Sequence, residues 1–238
     1  MMSLQGKNAI ITGASSGIGK ALTLALLGQG VNVAACARSQ YRLDELREAS
    51  GALPGTLLIG SVDVADEGEM HAFAEKANMV LGPVSIVVAN AGFGVFKPLV
   101  EMKAEEFDQV MATNVRGVWL TLRETVPGMV ERREGDVVIV SSLAGKNGFA
   151  GGTAYSGSKF AVRGIAQSLM HEVREHDVRV LAVFPGSTDT RFFDGTPMSP
   201  KRERILRAED VSDAILHALL APRRALSSEI DIRPANPR

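Results

Sequence analysis

One stretch near the amino terminus decides the fold: "NAIITGASSGIGKALTLALL", residues 8–27. A short apolar run, Asn8 to Thr12, leads into Gly13, Gly17 and Gly19 and then into a leucine-rich segment of helical spacing. A run without polar alternation suits a parallel strand covered on both faces. Glycines at this turn let the backbone fold tightly and bring N–H groups against a pyrophosphate, while the helix that follows aims its positive end at the phosphates. The spacing is GxxxGxG rather than GxGxxG, and the same physics applies. Ser15, Ser16 and Ile18 lie inside the turn and join the three glycines as candidate cofactor contacts.

Working outward, the alternation persists. Apolar runs recur at 31–37, 56–62, 84–90, 137–142, 178–184 and, shorter, 229–232. Helical periods fall between them near 17–29, 39–50, 66–80, 104–132, 153–176 and 209–220. Alternating β and α predicts an α/β protein with an open parallel sheet and a ligand crevice beyond the carboxyl ends of its strands. No linker, low-complexity tract or short repeat divides the chain, so residues 1–238 are expected to form one domain. The least patterned portion, 186–208, contains Pro197 and Pro200 and reads as a lid or binding loop, or as a plain surface excursion.

Bulk properties narrow the function classes. The 238 residues carry 26 basic and 27 acidic side chains, which argues against nucleic acid or an acidic membrane as partner. The single Cys36 permits no internal disulfide framework and reads as a buried, inert thiol. No apolar run approaches the roughly 18 residues of a membrane span, and no secretory signal is visible, so a cytoplasmic protein is expected. The four histidines do not cluster, and no metal site is expected.

The second strand bears on the cofactor. An NAD-selective site carries an acid about 20 residues past the turn, on the ribose 2′-hydroxyl. Here the strand ends "ACARSQ", with Arg38 and Ser39 and no acid. An arginine there can clamp a 2′-phosphate and a serine can add a donor, so NADP(H) is favoured over NAD(H).

With these pieces in place the sequence resembles the short-chain dehydrogenase/reductase superfamily over nearly its whole length. The motifs are "TGASSGIG" (12–19), "DV" (63–64), "NAG" (90–92), Asn114 in "ATNVRG", "SS" (141–142), "YSGSK" (155–159) and "PGSTDT" (185–190). The resemblance implies a Rossmann-type, doubly wound sheet of about seven strands with helices on both faces. It implies an adenine pocket at Asp63 and Val64, and a stretch beneath the adenosine ribose at Asn90, Ala91 and Gly92. Pro185, Gly186, Thr188 and Thr190 would contact the nicotinamide carboxamide and a phosphate. Two departures stand out: Ala89 replaces a frequent asparagine, and Ser16 stands where many NADP-dependent relatives are basic.

Carbonyl reduction needs a hydride donor, a proton donor and a group that orients the carbonyl. Tyr155 is the candidate proton donor, and Lys159, one helical turn on, is expected to stabilise its phenolate and lower its pKa. By the resemblance, Lys159 also holds the nicotinamide ribose. Ser142 would orient the substrate carbonyl, with Ser141 the weaker alternative, and Asn114 would bind a water linking Lys159 to solvent. An asparagine inside a helix is disfavoured by propensity, which suits a functional reason for it. Pro127 is expected to bend or end the helix that holds Asn114.

The substrate is less legible. Phe93, Val95, Phe96, Leu143, Phe149, Phe192 and Phe193 lie near strand ends and could line an apolar pocket or simply pack under loops. "KRERILR" (201–207) could steer an anionic carrier or form a solvated helix face. The expected reaction is reversible, NADPH-dependent reduction of a small-molecule ketone, aldehyde or 3-oxoacyl group. The alternative is a silent nucleotide-sensing or scaffold protein on the same fold. The resemblance also implies a homodimer or homotetramer built on 104–132 and 153–176.

Overall fold

The computed structural model describes residues 3–194, 196 and 201–236. Pro197 and Pro200 of the expected loop lie outside the described residues. Seven parallel strands form the main sheet: β1 (Asn8–Thr12), β2 (Asn32–Ala37), β3 (Leu57–Ser61), β4 (Ile86–Ala89), β5 (Gly135–Val140), β6 (Val178–Pro185) and an edge strand, Glu229–Ile232. Their order is β3-β2-β1-β4-β5-β6 followed by that edge strand. The order reverses between β1 and β4, and a ligand crevice belongs above such a switch point.

Side-chain alternation assigns the helices to the two faces. Ile10, Ala34, Cys36, Val87, Val137, Ile139 and Phe184 point to one face, against α3 (Glu67–Leu81), α5 (Gly117–Arg132) and α6 (Thr153–Val173). Their neighbours Ala9, Ile11, Val33, Val88, Val138 and Val183 point to the other. There they meet α1 (Gly17–Gly28), α2 (Gln40–Ser50) and α7 (Ala208–Leu219). Val211, Ile215 and Leu219 of α7 repeat every four residues and form its buried stripe, as do Leu22 and Leu26 of α1. Each such buried leucine contributes roughly 2 kcal/mol. Small residues in β2 keep both layers close. Among them Cys36 is fully enclosed, and burial pushes its thiol up to about 12, the inert state expected of it.

Two expectations change in detail. The segment 104–132 is a helix α4 (Ala104–Met111), a π turn (Ala112–Arg116) and then α5. The wide turn is centred on Asn114, whose side chain is drawn inward to the backbone of Phe93. Pro127 does not end the helix, which continues to Arg132. Pro127 faces solvent, where water can serve the carbonyl that its missing N–H leaves unpaired.

The 186–208 segment is tied down at both ends. Strands β7 (Thr188–Asp189) and β8 (Leu206–Arg207) pair in parallel, and Arg202 bonds Asp189 at 2.6 Å and Asp194 at 2.7 Å. Arg202 is therefore engaged within the segment rather than free in a basic patch. Residues 202–204 form a 3-10 turn, not a longer helix face. The edge strand, β9 (Glu229–Ile232), follows α7.

At the opposite end of the sheet a buried charge cluster locks β5 to β6. Arg179 Nε donates to Asp136 Oδ1 at 2.6 Å, and its remaining nitrogens donate to the carbonyls of Leu219, Ala221 and Ala225. Arg223 adds a second donor to Asp136 at 3.0 Å. Removing the carboxylate leaves an enclosed guanidinium without its counter-charge. Asp136→Ala is expected to cost about 3–5 kcal/mol in urea unfolding, and a loss below 1 kcal/mol would show that the cluster does not hold the strands.

Candidate active site

A cleft of about 1190 Å³ opens above the switch point. Its floor is the turn between β1 and α1. Gly13 has φ +65°, in the left-handed region where a side chain is strained. Gly19 is required by proximity: a Cβ there would stand 2.4 Å from the Gly13 carbonyl oxygen and 2.6 Å from Asn90 Nδ2. Thr12 Oγ1 accepts from the backbone N–H groups of Asn90 at 3.0 Å and Ala91 at 3.1 Å. Asn90 Nδ2 donates in return to the carbonyls of Thr12 at 2.9 Å and Gly13 at 3.2 Å. This reciprocal clasp holds the ends of β1 and β4 together.

Ser15, Ser16, Gly17 and Ile18 line the cleft with Gly13, whereas Gly19 packs behind it. Arg38 and Ser39 line it at the end of β2, and Asp63 and Val64 beyond β3. Asp63 Oδ1 accepts from Ala65 N–H, and its own N–H donates to Glu69 Oε2. Ala91 and Gly92 join Asn90 along one wall, and Pro185, Gly186, Thr188 and Thr190 form another. Of the apolar candidates, Phe93, Phe96, Leu143, Phe149, Phe192 and Phe193 line the cleft and Val95 does not.

The buried stripe of α6 runs through Ala166 and Val162 and ends at Lys159 and Tyr155, so the core continues into the site. Tyr155 is 8% exposed and Lys159 5%. Burial pushes the Tyr155 phenol up to about 12, against the opposing pull of its hydrogen bond with the Ser142 hydroxyl. Burial also draws the Lys159 ammonium down to about 8. Desolvation therefore prevails over the Ser142 bond, and the expected lowering by Lys159 is absent: its Nζ lies 5.9 Å from the ring centroid and donates instead to the Val140 carbonyl at 3.0 Å.

The two adjacent serines diverge. Ser141 Oγ donates to the Lys159 carbonyl, holding β5 against α6. Ser142 Oγ accepts from Ala144 N–H at 3.1 Å and faces the phenol. Asn114 is fully buried outside the cleft lining. Its Oδ1 accepts from Phe93 N–H, and its Nδ2 donates to the Phe93 carbonyl and to Ser158 Oγ. Both Asn114 Oδ1 and Lys159 Nζ approach Gly92. The arrangement brings a hydroxyl, a phenol and an amine to the end of a nucleotide-sized cleft, a set that can move a proton to or from a carbonyl oxygen.

A sequence profile described as short chain dehydrogenase matches residues 7–199. The chain belongs to the short-chain dehydrogenase family. This short-chain dehydrogenase is 37% identical over 239 residues to glycine betaine reductase ATRR of Emericella nidulans. That alignment takes in 97% of the dehydrogenase but 19% of the relative, so the chain spans about a fifth of that protein's length. It is 35% identical over 206 residues to 3-oxoacyl-(acyl-carrier-protein) reductase FabG of Thermotoga maritima, covering 87% of this chain and 84% of the relative. An alcohol dehydrogenase from the archaeon Thermococcus sibiricus, solved with 5-hydroxy-NADP, superposes with a TM-score of 0.89 at 31% identity. That superposition covers 96% of this chain and 97% of the other. The short-chain dehydrogenase is thus an oxidoreductase of a family that acts on small molecules. Among its described residues no helix is long and apolar enough to cross a membrane, and no group of three His, Cys, Asp or Glu could hold a metal.

Sequence reasoning passed over Arg42, Arg191 and Ser158. Arg42 lines the cleft from the first turn of α2, four residues past Arg38, which lies in the bend after β2. Arg191 also lines it, and Ser158 links Asn114 to the Tyr155 carbonyl, a contact without any sequence signal.

The burial of Lys159 sets a pH dependence for the fold. Below about pH 8 the amine is charged folded and unfolded alike, and stability bears the full cost of enclosing it. Between 8 and the ordinary 10.5 the folded chain sheds its proton first, so stability rises. Relative to Lys159→Met, the unmodified chain is expected to gain on the order of 1–2 kcal/mol between pH 7.5 and 9.5 in urea unfolding. A stability difference between the two that does not shift toward the unmodified chain over this range would contradict that charge balance.

Proposed function

We propose that this chain catalyses the reversible, NADPH-dependent reduction of a ketone or aldehyde to an alcohol. The observation carrying the reading is the convergence of Ser142, Tyr155 and Lys159 at one end of the cleft whose other end is the glycine turn. The donor set fits the phosphorylated dinucleotide. No acid ends β2, and Arg38 and Arg42 flank the cleft without an ion pair among the described residues. Both guanidiniums can address a 2′-phosphate, while the amino end of α1 takes the diphosphate. NADPH, when bound, supplies the hydride.

Ser142 Oγ holds the substrate oxygen, and Tyr155 Oη gives it the proton. A phenol held near 12 stays protonated at neutral pH, the form reduction needs. Lys159 steadies the charge that develops on Tyr155 and, with Asp63, Asn90 and Thr188, holds the nucleotide. Asn114 positions rather than reacts: its bonds to Phe93 and Ser158 fix the loop after β4 against the turn of α6 that carries Tyr155. Residues 1–238 act as one dinucleotide-binding unit, with 186–208 as its substrate loop. Exposed Phe107, Trp119 and Phe160 on α4, α5 and α6 suit a homodimer or homotetramer.

Tyr155→Phe is expected to lower kcat for carbonyl reduction roughly 10²–10⁴-fold, with NADPH affinity nearly unchanged by fluorescence titration. Retained turnover would overturn the mechanism. Arg38→Ala is expected to weaken NADPH binding roughly tenfold to a hundredfold and leave NADH binding unaffected. Equal affinity of the unmodified chain for NADH and NADPH would remove the cofactor assignment. NADPH binding without turnover of any carbonyl would point instead to the silent scaffold.

A further inference from the structure

The two ends of the cleft differ in chemistry. The far end, beside Tyr155, is bounded by aromatic rings drawn from four separate stretches of chain. Phe96 sits at their centre, its ring centroid 5.5 Å from Tyr155, 5.8 Å from Phe192 and 5.9 Å from Phe149. Phe192 lies 5.2 Å from Tyr155 and 5.5 Å from Phe193. The rings touch one another and so form a continuous wall, not a cage around an empty centre. A Cβ at Gly94 would stand 2.6 Å from the tip of Phe96 and 3.0 Å from that of Phe192, so glycine at this position is what lets the two rings close up.

Several charges near the wall are already engaged. Asp194 is held by Arg202 at 2.7 Å, Arg233 lies 3.6 Å from Asp231, and Lys97 is bonded to Glu106 at 2.5 Å. Arg191 lies toward α2: its charge acts on the Tyr41 phenol, and the preceding Thr190 packs on Gly17. Arg191 and Lys159 line the cleft without an ion pair among the described residues, but Arg191 lies toward α2 and the buried Lys159 is bonded to the Val140 carbonyl, so neither cation stacks on the rings of Phe96, Phe149 or Phe192. A carboxylate seated there would lose its hydration without a partner in exchange. A flat apolar group would gain ring contacts and shed its water.

We propose that the substrate is an uncharged ketone or aldehyde carrying an aryl or comparably broad apolar group, which lies against the wall of Phe96, Phe149 and Phe192. The proposal rests on the carbonyl-reductase reading above and specifies its substrate class. NADPH-oxidation assays on the full chain would compare acetophenone, 2-butanone, acetoacetate and acetoacetyl-CoA. The expected result is a kcat/KM for acetophenone on the order of 10- to 100-fold above that for 2-butanone, with acetoacetate lowest. In Phe192→Ala and in Phe149→Ala the acetophenone-to-butanone ratio should collapse several-fold, chiefly through the KM for acetophenone. Phe149 is 40% exposed, so its truncation spares the fold if that of Phe192 does not. Acetoacetate, acetoacetyl-CoA or 2-butanone turned over as well as acetophenone would overturn the substrate class and leave carbonyl reduction standing. An undiminished ratio in both variants would also overturn it. No turnover of any of the four, nor of benzaldehyde or butanal, with NADPH still bound, would overturn the reductase reading itself.

Discussion

The reciprocal clasp between Thr12 and Asn90 is the constraint on which the site depends. One hydroxyl accepts from two amides after β4, and one carboxamide donates to two carbonyls after β1. The four bonds close the sheet at the point where its order reverses and fix the glycine turn in the pose its backbone needs. The same loop then passes Gly92 to Phe93, which Asn114 grips, and Asn114 reaches Ser158 beneath Tyr155. The glycine turn and the end of the cleft that holds Ser142, Tyr155 and Lys159 are therefore joined by a short path of hydrogen bonds through the central strands.

Electrostatics at the far end follow from enclosure. Tyr155 and Lys159 occupy core positions of α6, so water that would stabilise phenolate or ammonium is excluded. Both groups move toward their neutral forms, the phenol up and the amine down. The aromatic wall adds to this, because it surrounds the phenol with rings instead of dipoles. Ser142 supplies the polar contact that remains, and its neighbour Ser141 is spent on the α6 backbone.

Much of this was legible from residue patterns. Buried parallel strands reveal themselves as unbroken apolar runs, and the glycine turn announces itself because only glycine tolerates its geometry. The candidate site residues from Gly13 to Thr190 line one cleft, apart from Gly19 behind the turn and Asn114 beneath it. What stayed hidden depends on tertiary distance. The π turn at Asn114 arises from a partner 21 residues earlier, Phe93, and propensity cannot anticipate it. The direction of the Tyr155 shift depends on how completely the ring is enclosed, whereas the spacing to Lys159 suggested only the opposing effect. The division of labour between Ser141 and Ser142 is likewise a matter of which way each side chain faces at the end of β5.

The sheet order also governs how the chain can assemble. β1, β2 and β3 pair with near neighbours in sequence, but β1 must also find β4, with Ile10 beside Val87 in register. Contacts of such separation form slowly, after more local ones. The glycine turn reaches its final shape only when Asn90 arrives, so a half-assembled chain has its first three strands without a nucleotide floor. On the proposed function, dinucleotide affinity would therefore arise late in folding and mark closure of the central strands rather than collapse of the amino-terminal half.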